Sequence, residues 1–86
     1  MRVYTVIIQK RRESGALLYS VIGGIFKNKE NAMQYVNIRM EDEAHFLDET
    51  HTTTRQSDGY WETTLRGYSF DGLIEYVFII KKHVVR

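Results

Sequence analysis

Residues 29–47 read KENAMQYVNIRMEDEAHFL. In this stretch Ala32, Met33, Val36, Met40, Ala44 and Leu47 recur at helical spacing and fall within about a third of a helical wheel. Asn28 stands just ahead, a residue whose side chain satisfies the free amides of a first helical turn. The pattern predicts one amphipathic helix from about Lys29 to Leu47. Tyr35 and Phe46 widen its apolar face on one side, and Ile38 points away from the centre of that face. Glu43 lies near the centre with Arg39 one turn earlier, which predicts an ion pair at the edge of the buried surface.

On the amino-terminal side, Val3, Tyr4, Val6, Ile7 and Ile8 form a β-rich run that ends in the charged cluster Lys10, Arg11, Arg12 and Glu13. Ser14 and Gly15 supply a turn, and Leu17 to Phe26 is the returning strand. The pair Gly23-Gly24 inside that strand predicts a bulge, a sharp twist or a close backbone approach. On the carboxyl-terminal side, residues 48–58 are polar and threonine-rich, either a long loop or an outer strand over Thr50 to Arg55. β-Branched Thr52, Thr53 and Thr54 favour the strand. Tyr60 to Tyr68, a turn at Asp71-Gly72, and Leu73 to Val85 make a closing hairpin. The expected fold is α+β: an antiparallel β-sheet of four or five strands, in the order β-β-α-(β)-β-β, with one helix packed on one face.

A chain of 86 residues has the size of one domain, spanning 1–86. It contains no cysteine, so the apolar core carries the stability without disulfides, as suits a reducing compartment. No stretch approaches the ~18 apolar residues of a membrane span, and the opening MRVYTVIIQK lacks the pattern of an export signal. The expected location is a bacterial or host cytoplasm, with no role for a membrane. Charge is segregated along the chain. Arg2, Lys10, Arg11, Arg12, Lys27 and Lys29 face only Glu13 in the first third, whereas Glu30, Glu41, Asp42, Glu43, Asp48 and Glu49 face only Arg39 in the next. Such polarity either keeps the surface solvated or orients a partner.

Three strands are apolar on both faces: Val3 and Ile7 against Tyr4, Val6 and Ile8; Leu17, Tyr19, Val21 and Ile25 against Leu18, Ile22 and Phe26; Ile74, Tyr76, Phe78 and Ile80 against Leu73, Val77 and Ile79. One helix covers one face. The other is covered by the sheet's own twist and side chains, by residues 48–58, or by another chain, and a protein partner or a homodimer is the reading adopted. The residues proposed to meet it are the basic Lys10, Arg11 and Arg12, the acidic Glu41 and Asp42, exposed Ile38, and the aromatic Tyr60 and Trp61.

Enzymes rank last among the function classes, because the sequence has no cysteine nucleophile, no GxSxG and no phosphate-binding loop. No catalytic residue and no cofactor is assigned. His45, Glu49 and His51 are a conceivable metal set if His45 and Glu49 share a helical turn, but HExxH spacing is missing and no metal is assigned. The alternative function is a nucleic-acid-binding accessory domain. Lys10, Arg11 and Arg12, together with Lys81, Lys82 and Arg86, would hold phosphates beside a stacking platform of Tyr60, Trp61 and Tyr68.

Residues 1–36 resemble a pattern in small uncharacterised bacterial and phage proteins. The similarity lies in the strand opening Met1-Arg2-Val3-Tyr4, the strand ending Ile22-Gly23-Gly24-Ile25-Phe26, and the helix opening Lys29-Glu30-Asn31-Ala32 followed by Tyr35-Val36. Those proteins continue with a short strand, where this chain has a threonine-rich segment and a long hairpin. The resemblance implies a cytoplasmic, phage-like accessory protein and transfers no catalytic residue.

Overall fold

The computed structural model describes residues 1–85 and shows five strands and one helix: β1 (Arg2–Arg12), β2 (Leu17–Phe26), α1 (Lys29–Ala44), β3 (Asp48–Ser57), β4 (Tyr60–Ser69) and β5 (Gly72–Val84). The strands form a single antiparallel sheet in the order β2-β1-β5-β4-β3. The α+β architecture read from the sequence is therefore the one that forms. β5, the most continuously apolar strand, lies at the centre, and the two edges have opposite character. β2 carries no charged residue, whereas β3 is a fully exposed run of threonines and charges.

Helix α1 starts where Asn28 caps it, the Asn28 side chain accepting from the Asn31 amide at 2.9 Å. It ends at Ala44, three residues short of the expected Leu47. The last turn has no basic residue and holds Glu41, Asp42 and Glu43 against the negative end of the helix dipole. Tight bonds from Phe46 to Glu43 and from Leu47 to Ala44 then turn the chain into β3. Ala32 and Val36 are buried against Val6, Ile8, Leu65, Ile74, Tyr76, Phe78 and Ile80, with Tyr4, Phe26, Tyr35, Met40, Ala44, Leu47 and Trp61 packed around them. At ~1.5 Å per residue the helix is roughly half as long as β5 at ~3.4 Å per residue, so it shields only part of its own face.

Residues 48–57 are strand along their whole length, longer at both ends than the expected Thr50–Arg55. Glu49 takes a left-handed conformation, φ 52°, where the β3–β4 register shifts. The final hairpin turns on Phe70-Asp71, one residue earlier than expected, and Gly72 begins β5.

Gly23 produces the predicted irregularity and also overturns the assignment of β2 residues to faces. Val6 pairs with Gly24 but Ile7 pairs with Ile22, so Gly23 is a bulge; Leu18 is skipped in the same way between Tyr19 and Leu17. Each extra residue reverses the alternation. Tyr19, Val21 and Phe26 share the helix face, and Leu17, Ile22 and Ile25 share the opposite one, so strict alternation places Leu17, Ile25 and Phe26 wrongly. A side chain at Gly23 would collide with the Ile8 methyl at 2.9 Å and the Tyr35 ring at 3.1 Å, which is why the helix can approach the strand there.

Among the described residues, no element lies on the open face. Val77 and Ile79 on central β5 are nevertheless only 5% and 9% accessible, flanked on that face by Ile7 and Gln9 of β1 and by Glu62 and Thr64 of β4. The outer half of that face is laced by Arg66–Glu75 at 3.4 Å and Arg55–Glu62 at 3.8 Å. Apolar exposure concentrates instead on β2, where Ile22 is 67% and Ile25 65% accessible. Among the described residues, no helix is long and apolar enough to cross a membrane.

Candidate protein-binding surface

At the end of the sheet where β1 finishes and β5 begins, a groove of about 510 Å³ lies between the first hairpin, the helix terminus and the last hairpin. Lys10, Arg12, Leu18, Phe46, Leu47, Phe70, Ile74 and Tyr76 line it, along with the acids Glu13 and Asp71. Phe70 occupies the tip of the β4–β5 turn and is fully exposed; Phe46, just past the helix, is 82% exposed. A free energy of roughly 1.5–3 kcal/mol is gained when such a ring leaves water, so two of them beside one groove are a natural anchor for another surface.

Tyr76, one of the residues lining the groove, stands beside a polar cluster on the helix. Arg39 and Glu43 form the ion pair expected from their spacing, 3.6 Å apart. The Arg39 Nε is buried without a hydrogen-bond partner. Burial raises the Tyr76 hydroxyl well above its ordinary range, and the neighbouring Glu43 carboxylate adds to the effect by favouring the protonated form. The same two causes, burial first, push Tyr19 up. Lys10 places its ammonium 5.3 Å from the centre of the Tyr76 ring.

The residues proposed from sequence do not converge on one patch. Lys10 and Arg12 reach the groove, but Arg11 points to the opposite face, where it donates to Gln9 Oε1 at 2.9 Å. Ile38, Glu41 and Asp42 are exposed on α1. Tyr60 and Trp61 are neighbours in a strand and therefore face opposite ways. Tyr60 donates to Glu62 at 2.8 Å on the open face, which raises its pKa by holding the hydroxyl proton. Trp61 packs under the helix start, 6.2 Å from the Tyr4 ring and with the Lys29 ammonium 4.9 Å above it. The platform of Tyr60, Trp61 and Tyr68 is thus divided between two faces. The basic groups are divided as well: Lys81 and Lys82 pair with Thr5 and Tyr4, at the other end of β1 from Lys10 to Arg12. Arg86 lies outside the described residues.

His45 caps the helix whereas Glu49 and His51 belong to β3, so the single helical turn that would have joined them does not exist. Among the described residues no group of three His, Cys, Asp or Glu side chains is placed to hold a metal ion. Sequence reasoning missed Phe70. The signal was an aromatic residue directly before Asp71-Gly72, where turns ordinarily carry polar residues. No protein-family model, curated protein or solved structure matches this chain.

Proposed function

We propose that this protein is a non-enzymatic protein-binding accessory module. The observation that carries the reading is the groove flanked by Phe46 and Phe70, two large rings left open to water beside Lys10 and Arg12. Aromatic and arginine side chains are the types that dominate binding energy at protein interfaces, and a rim of mixed charge selects among partners. The resemblance of residues 1–36 supports a phage-like factor acting on a larger complex in a cytoplasm. The groove has no built arrangement of nucleophile, base and oxyanion donors.

A nucleic-acid-binding role is the competing class, and the division of its basic groups between the two ends of β1 weighs against it. Salt separates the two. Phosphate-dominated binding falls steeply as salt rises, while apolar contact does not. Mobility shifts with single- and double-stranded DNA and RNA at low salt are expected to show no complex; a complex lost in proportion to salt would overturn the reading.

A further inference from the structure

We infer that strand β2 is a self-complementary dimerisation edge, and that two copies pair through it, antiparallel, into one ten-stranded sheet. Four observations meet here. The outer backbone groups of β2 have no neighbouring strand, since it stands at the end of the sheet. Edge strands are ordinarily protected by charge or proline, and Leu17–Phe26 contains neither, whereas β3 on the other edge carries Asp48, Glu49 and Arg55. The nearest charges on either side of β2 are Glu13 and Lys27, of opposite sign. Antiparallel pairing about a two-fold axis sets the Glu13 end of each strand beside the Lys27 end of its mate, twice, and opposes no like charges along the strand.

The fourth observation concerns the helix. Tyr35 packs against Phe26 with ring centres 5.4 Å apart, so its flank of α1 looks toward β2, and Ile38 lies one turn further along that flank, 52% exposed. A two-fold axis perpendicular to the sheet keeps both helices on one side. Tyr19 and Val21 then form the floor between them and Ile38 of each copy the walls, while beneath, with the axis at Val21, the two Ile22 side chains approach diagonally across the axis and Ile25 falls opposite Leu17 of the other copy. The bulges at Leu18 and Gly23 bracket a regular stretch, Tyr19–Ile22, which puts the axis beside Ser20 and Val21. The area is modest for a stable interface, so the dissociation constant is expected in the micromolar range.

The absence of native cysteine makes a direct test simple. Opposed residues of an antiparallel pair have Cα atoms ~4.5–5.5 Å apart, within disulfide reach. Of the single variants Ser20→Cys and Val21→Cys, the one on the axis is expected to give a covalent dimer rapidly under mild oxidation, at least tenfold faster than Thr53→Cys on the opposite edge. Sedimentation is expected to show a dimer for the unmodified protein and a monomer for Val21→Lys, with the melting of the monomeric fold retained. A monomer at 100 µM would overturn the proposal. So would a dimer in which neither β2 cysteine links faster than the one on β3.

Discussion

Tyr76 on β5 is buried beside Glu43 of the helix. Burial, aided by Glu43, holds the Tyr76 hydroxyl protonated, so its folded ionisation lies above the unfolded value of 10.0. Its stabilising contribution is therefore complete below pH 10.0 and is lost as pH rises beyond it, because only the unfolded chain ionises easily there. Thermal melting followed from pH 8 to 11 should show a fall above pH 10, and the fall should be smaller in Tyr76→Phe. Gly67 poses a steric question at the same scale. A Cβ there would lie 2.8 Å from the Leu47 Cβ and 3.2 Å from the Asp48 carbonyl, both held by the backbone that starts β3. At Gly23 the closest atom is instead the free end of Ile8. Urea unfolding is expected to give a loss of about 1–3 kcal/mol for Gly67→Ala and a smaller one for Gly23→Ala. The Arg39–Glu43 pair was legible from its i,i+4 spacing; the burial of Tyr76 beside it was not, because that depends on which strand passes beneath the helix.

Helix α1 and strand β2 show where periodicity succeeds and fails as a guide to elements. The start of the helix followed from Asn28 and its face from Ala32, Val36 and Met40, since both are local properties of the chain. Its end did not, because the same apolar spacing continues through Leu47 while the backbone has already turned toward β3. In β2 the two glycines signalled a bulge, but which residues change face depends on pairing with β1, a long-range matter. Val36 is buried and Met40 only partly so. Val36→Asp should accordingly abolish cooperative unfolding, and Met40→Asp should leave a cooperative transition at lower temperature, both read by circular dichroism. An unchanged melting temperature for Val36→Asp would remove the helix from the core.

Across the whole molecule, apolar residues on both faces pointed to a second covering layer, and the sheet answers this in two ways. Around Val77 and Ile79 the neighbouring side chains of β1 and β4 already exclude water, so the apolar centre of β5 does not by itself call for a partner. Along β2 and at the Phe46–Phe70 groove the sheet leaves apolar groups in water, and these are the surfaces for which binding is proposed. The groove was illegible in the sequence because Leu18 at the start of β2, Phe46 after the helix and Phe70 in the last turn are far apart along the chain, and only the fold brings them together. Both rings are exposed, so their replacement should change stability by no more than about 0.5 kcal/mol. That makes the double variant Phe46→Ser, Phe70→Ser the sharpest probe of the account. The decisive measurement is capture from native host extract by the unmodified protein and by this variant, at low and high salt. The account predicts a discrete protein retained by the unmodified chain at both salts and lost from the equally stable variant; retention that ignores the two rings, or nucleic acid as the retained species, would contradict it.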